Sequence, residues 1–173
     1  MGAELEDDFT QFVEARTPAL FRTALGLTGD RPAAEDLLQT VLAVAYLRWS
    51  DIRGGQPEAY LRRAMYLRSV SRWRLRSYGR EFPTDAVPER ANPEDETARV
   101  ELRLAVRSAL RTLGPKQRAI VVLRYLEDLP DQEIAEIVGC EPVTVRSQLS
   151  RALHRLRERC PDLATVITEE SFR

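Results

Sequence analysis

The sequence predicts an all-α chain of two helical domains joined by a flexible acidic linker, the second a helix-turn-helix domain. Three observations predict it. Apolar residues recur at spacings of three and four, with no strand-like alternation and no internal repeat. The pattern disappears from Tyr78 to about Thr97, where Pro83, Pro88 and Pro93 stand among acids, as in an extended tether between units. The stretch from Leu113 to Arg157 reads as a short feeder helix followed by two helices, with Gly139 at the tight turn between them.

The first helix rests on Phe9, Phe12 and Val13, then Leu20, Phe21 and Ala24, and is expected to be interrupted near Pro18, whose ring nitrogen has no hydrogen to donate. Thr28, Gly29, Asp30, Arg31 and Pro32 form a turn, and Asp30 or Pro32 opens the second helix. Its stripe is Leu37, Leu38, Val41, Leu42, Ala45 and Tyr46; Gly54, Gly55 and Pro57 break it. A third helix runs from about Pro57 to Ser77, with Tyr60, Leu61, Ala64, Met65 and Val70 inward and the arginines outward. Past the tether, Val100, Leu104, Ala105, Leu110 and Leu113 restore helical spacing; Gly114 is expected to stop that helix and Pro115 to open the feeder helix. In the helix-turn-helix, Ile134, Ala135 and Val138 form one stripe and Val145, Leu149, Ala152 and Leu156 the next. At about 100° per residue, Arg146, Ser147, Ser150, Arg151 and His154 fall opposite that seam, where a helix can enter the major groove of DNA.

The net charge of −1 conceals blocks of one sign. Residues 60–80 hold seven arginines and no acid, residues 102–126 six bases and no acid, and residues 127–141 six acids and no base. Segregated charge assigns faces to different partners, the basic ones to phosphate. The six acids of residues 127–141 and the acidic linker are expected to shield the basic faces in the free chain.

Other function classes fall away. No run approaches the roughly 20 apolar residues of a membrane span, and the acidic N-terminus is no signal peptide, so a cytoplasmic location is expected. Cys140 and Cys160 lack a ligand spacing, so no metal and no cofactor are expected. The single histidine, His154, has no nucleophile beside it in sequence, and the carboxylates sit in solvated runs; no catalytic residue is identified, and the chain is not read as an enzyme.

In order along the chain, AAEDLLQTVLAVAYLRW, PEAYLRRAMYLRSVSRWR, a proline-rich acidic linker and the helix-turn-helix resemble the extracytoplasmic-function (ECF) group of sigma-70 RNA polymerase sigma factors, within it the actinobacterial SigE-like group. The resemblance covers nearly the whole chain. A helix-turn-helix is shared by many regulators; the ordered pair of signatures is the specific signal. Twenty-five arginines against the single lysine Lys116 agree with a GC-rich genome such as an actinobacterium's.

The resemblance implies a sigma region 2 domain over 1–78, a linker over 79–98, a sigma region 4 domain over 99–160 and a tail over 161–173. It implies a subunit that binds the RNA polymerase core and directs promoter-specific initiation. Asp36, Leu37, Gln39, Thr40 and Val41 would dock on the beta-prime coiled coil, with the beta flap as a second core contact. Arg62, Arg63, Arg68, Arg72, Arg74 and Arg76 would hold phosphates of the minus-ten element, and Trp73 and Tyr78 would stack on its unpaired bases. Trp73 has a second reading as a core anchor. Arg124, Thr144, Arg146, Ser147, Gln148, Ser150 and Arg151 would read the minus-thirty-five element, arginine suiting guanine and glutamine adenine. The chain departs from the family pattern at Leu67, where asparagine is common, and at Gln148, where a basic residue is common. An anti-sigma factor is a further implied partner. Two alternatives stand beside this reading: a stand-alone helix-turn-helix regulator, and a sigma-like decoy that titrates an anti-sigma factor.

Overall fold

A computed structural model describes residues 3–78 and 97–159, with the backbone alone for residues 3, 75–78 and 97–103. α1 (Ala3–Thr28) folds back onto α2 (Arg31–Leu47) through a turn that two residues set. Gly29 takes φ +73°, a left-handed conformation that glycine adopts without penalty, and donates its N–H to the Leu25 carbonyl at 2.7 Å. Asp30 then caps α2, its Oδ2 accepting the Ala33 N–H at 3.0 Å, with Pro32 in the first turn.

α1 passes through Pro18 without interruption, against the sequence expectation. Pro18 lies on the exposed side of the helix, so the Glu14 carbonyl it leaves without a helical donor can reach water. The helix is held on both sides of it by Phe9, Phe12 and Leu20 packed in the core.

α3 (Trp49–Ile52) is a single turn that seats Trp49 against Phe9 and Phe12, ring centroids 5.1 and 4.9 Å apart, while the indole N–H donates to Asp8 Oδ2 at 2.8 Å. α4 (Pro57–Tyr78) lays Leu61, Met65 and Tyr66 against Leu20, Ala24, Leu37 and Val41.

The second lobe contains α5 (Thr97–Arg111), α6 (Pro115–Tyr125), α7 (Asp131–Val138) and α8 (Pro142–Arg159). Gly114 does not stop α5. That helix ends at Arg111 and tightens through Thr112 and Leu113, whose N–H groups bond the Ala109 and Leu110 carbonyls at 3.0 and 3.1 Å. Gly114, at φ −61° and ψ 155°, is instead the N-cap of α6, with Pro115 as its first residue. Gly139 at φ +67° ends α7 as the sequence requires, and Ile134, Ala135, Val138, Val145, Ala152 and Leu156 are buried together.

The two lobes are in contact. α6 packs on α1, and α4 packs on both α6 and α7, so one buried cluster runs from Leu20 and Met65 to Ile134 and Val138. All elements among the described residues are helical, and no helix among them is long and apolar enough to cross a membrane. The expected linker, apart from its last two residues, the tail and Cys160 lie outside the described residues.

Candidate nucleic-acid interface

On α8, Val145, Ala152 and Leu156 are buried, whereas Arg146, Ser147, Ser150, Arg151 and His154 are all exposed, Arg146 with 69% of its side chain open. Helical geometry produces this split directly, because one seam faces α6 and α7 and, among the described residues, no helix packs over the opposite side. Thr144 is half-buried at the start of the helix, and its carbonyl accepts the Ser147 hydroxyl at 3.0 Å. Gln148 is also half-buried, its Oε1 accepting from Gln117 Nε2 at 3.0 Å, so reading a base through that oxygen would require it to exchange that bond.

Arg124 reaches this face from α6, with Nη1 donating to the Leu129 carbonyl at 2.9 Å. Asp131, the first residue of α7, lies between two of the arginines, 3.7 Å from Arg124 Nη2 and 3.7 Å from Arg146 Nε. Its Oδ1 is buried without a hydrogen-bond partner. Asp131 was not singled out by sequence reasoning. Its only sequence signal is membership of the acidic block.

The arginines of α4 divide into two sets. Arg68 and Arg74 are exposed, and Trp73 has 49% of its surface open, so about half of the indole is at the surface. Arg72 pairs with Asp36 of α2, so residues expected to serve two different partners meet in one ion pair. Around them is a hollow of about 280 Å³ lined by Asp36, Leu37, Thr40, Arg68, Ser71 and Arg72. On α2 itself Asp36 and Gln39 are exposed and Thr40 half-buried, whereas Leu37 and Val41 are 1% exposed and support the helix from beneath. The side chains of Arg76 and Tyr78 lie outside the described residues.

Arg62 and Arg63 form the second set, and they point at the other lobe. Arg62 Nε bonds Glu127 Oε2 at 2.7 Å and its Nη2 bonds Glu58 Oε2 at 3.1 Å. The Thr23 hydroxyl donates to the other oxygen of Glu127. Arg63 Nη1 donates to the Glu136 carbonyl at 2.6 Å. Beside them the Tyr66 hydroxyl faces the Val138 carbonyl at 3.5 Å, and burial, with Cys140 adding, pushes its phenol above the usual tyrosine range.

A third cation at this junction carries no mark in the sequence beyond its charge. Arg118 of α6 donates to the Leu110, Arg111 and Leu113 carbonyls and, across the seam, to the Leu27 carbonyl at 3.1 Å. Burial, with Arg111 nearby, pulls its guanidinium down to about 10, which leaves it charged at neutral pH. It thus closes the carbonyl ends of two helices with one positive group. Among the described residues, no group of three or more His, Cys, Asp or Glu side chains is placed to hold a metal ion.

Comparison with known proteins gives a consistent set of matches. The family model described as Sigma-70 region 2 matches residues 12–78, and that described as Sigma-70, region 4 matches residues 103–156. The chain is 43% identical over 152 residues to an RNA polymerase sigma-E factor of Streptomyces antibioticus, covering 87% of this chain and 83% of that protein. It is 31% identical over 153 residues to the ECF RNA polymerase sigma factor SigE of Mycolicibacterium smegmatis, covering 86% of this chain and 60% of that one. Among solved structures, the sigma factor RpoE in complex with the anti-sigma factor NepR from Bartonella quintana matches with a TM-score of 0.68 at 29% identity, over 87% of this chain and 95% of that chain.

Proposed function

The chain belongs to the sigma-70 family of RNA polymerase sigma factors, in its ECF group, and from that premise we propose how its two lobes divide the work of promoter recognition. It is a sigma factor, which binds RNA polymerase and directs promoter-specific transcription initiation. In the proposed division, residues 1–78 grip the core and the minus-ten element, residues 79–98 tether, and residues 99–160 read the minus-thirty-five element. The chain carries no chemistry of its own; the polymerase supplies it. It works in the cytoplasm, where its promoter DNA is.

The observation that carries this reading is the split on α8, where Arg146, Ser147, Ser150 and Arg151 are exposed on a helix seated by Val145, Ala152 and Leu156. A guanidinium presented on such a helix matches the O6 and N7 acceptors of guanine, and the serine hydroxyls supply short-range contacts. Arg124 adds a phosphate or base contact from α6. On the first lobe, Asp36, Gln39 and Thr40 form the polar set offered to the beta-prime coiled coil, held in place by Leu37 and Val41; the beta flap is the second core contact, made by the region 4 lobe. Arg68, Arg72, Arg74 and Arg76 neutralise minus-ten phosphates, joined by Arg62 and Arg63. Trp73, with Tyr78, stacks on bases freed from the duplex at about 1 to 3 kcal/mol each, which offsets an unstacking cost of roughly 1.4 kcal/mol per step. An anti-sigma factor is the natural antagonist of these surfaces.

Run-off transcription with purified core polymerase from an actinobacterium tests the reading. Added chain is expected to give initiation at discrete promoters, and substitution of Arg146 to relax selection among them at one base pair. A stand-alone regulator or a decoy would give no promoter-specific product with core enzyme alone.

A further inference from the structure

We propose that Gln117 of α6 and Arg155 of α8 are positioning residues that set the base specificity of Gln148. Their hydrogen bonds turn the Gln148 amide so that it offers DNA a donor and no free acceptor, which selects the keto bases guanine and thymine over adenine and cytosine. The inference rests on the reading of α8 as the helix that enters the major groove. It deepens that reading, because it names the class of base at one position and two residues that decide it without touching a base.

The direction of an amide is set by its neighbours, since its oxygen only accepts and its nitrogen only donates. Arg155 stands at one end of a chain of three side chains. A guanidinium has donors and no acceptor, so the oxygen of Gln117 faces it, and Arg155 Nη1 donates to Gln117 Oε1 at 3.1 Å. The Gln117 nitrogen is thereby turned the other way and donates to Gln148 Oε1 at 3.0 Å. That fixes Gln148 in turn. With its oxygen held by Gln117, its nitrogen is the atom left for an outside partner, and among the described residues it donates to no protein group. Turning Gln117 over would set its nitrogen against the guanidinium, and turning Gln148 alone would set nitrogen against nitrogen. The anchoring bond has a charged donor, which makes it the stronger of the two.

Placement brings this amide to the DNA. Thr144, Gln148, Arg151 and Arg155 follow one another at spacings of four, three and four, a single stripe along the flank of α8. Gln148 therefore stands one turn from Thr144 and one turn from Arg151, both assigned to the minus-thirty-five element. Gln117 and Gln148 are half-buried where α6 packs on α8.

The major-groove edges of the bases complete the argument. Guanine presents two acceptors, N7 and O6, and thymine presents the acceptor O4; cytosine presents only the N4 donor, and adenine its N6 donor beside N7. The bidentate pairing of glutamine with adenine uses the amide oxygen and nitrogen together, so it would have to take that oxygen from Gln117. A lone donor meets guanine or thymine with nothing broken. Against cytosine it meets another donor.

The test uses holoenzyme assembled from the full chain and core polymerase, in competition among promoters carrying each single-base variant of the minus-thirty-five element. The native chain is expected to show one position, lost in Gln148→Ala, where guanine or thymine is preferred to adenine or cytosine by about tenfold, within the range of one good base contact. Gln117→Glu is the decisive variant. It matches glutamine in shape, keeps the bond to Arg155 and has no donor, so Gln148 must turn its nitrogen inward and its oxygen to the DNA. Preference at that position is then expected to reverse, to adenine or cytosine by about tenfold. Arg155→Met releases Gln117, and the native preference is expected to be lost. An added negative charge by itself weakens binding to every promoter alike. Uniform weakening by Gln117→Glu with the base order unchanged therefore overturns the proposal, as does a native preference for adenine or cytosine at the Gln148 position. A Gln148→Ala chain with native preference throughout, while Arg146→Ala still relaxes its own position, overturns it too and leaves α8 as the reading helix. If neither substitution alters any preference, the reading of α8 itself fails.

Discussion

Arg146 is the residue on which sequence selection should depend most. Its side chain is 69% exposed, and its ion pair with Asp131 is a loose one at 3.7 Å. Arg146→Ala is expected to cost about 1 to 3 kcal/mol at the cognate site and to relax preference at one base pair, read by competition among single-base variants of the site. Asp131→Asn should act in the opposite sense on non-specific DNA. Removing the carboxylate frees Arg124 and Arg146 for phosphates, so affinity for random duplex rises and the slope of log affinity against log salt steepens by about one. Trp73→Ala is expected to weaken capture of a melted minus-ten strand by about 1 to 3 kcal/mol, whereas Trp73→Phe keeps most of it; an equal loss for both would assign Trp73 to packing. At this scale the sequence was informative where a residue's surroundings come from its own helix. The five exposed positions of α8 follow from a period of 3.6 alone. Arg62 and Arg63 are likewise outward of their own bundle, but no periodicity carries the fact that residues 127 and 136 cover them.

The turns between elements show why some were legible and one was not. Asp30, Gly29 and Gly139 each perform a task with a narrow chemical solution, a side-chain acceptor at a helix start or a left-handed backbone at a helix end. Gly139→Ala is accordingly expected to lower stability by about 1 to 2 kcal/mol through backbone strain alone, because a Cβ there would meet nothing. Gly114 is the instructive contrast. Its φ is ordinary and its surroundings are open, so Gly114→Ala should change Tm far less than Gly139→Ala does in parallel thermal melts. A glycine before a proline was open to reading either as a stop for one helix or as a cap for the next, and the tightened turn at Thr112 and Leu113 decides for the second. Pro18 misleads in the same manner: its cost is local, and the packing of α1 on both sides outweighs it.

For the molecule as a whole, composition and periodicity reveal two helical lobes and a tether, and the structure adds that the lobes close. The acidic block of residues 127–141 is visible in the sequence as a shield without a target. Its carboxylates have specific partners: Glu127 is held by Thr23 and Arg62, and Asp131 lies between Arg124 and Arg146. Long-range complementarity of this kind leaves no local pattern, and Gly26 looks like any other helix glycine until Val122 is placed beside it. A partner that requires the lobes apart would have to offset the cost of separating them.

The most direct measurement is the distance between spin labels at Ser50→Cys on α3 and Arg157→Cys on α8, in a chain freed of its native cysteines, recorded alone and then with core polymerase and promoter DNA. A single short distance in the free chain that lengthens by tens of ångströms in the complex is the expected result. A distance that is already long in the free chain, or one that does not change when transcription-competent complex forms, would contradict the account.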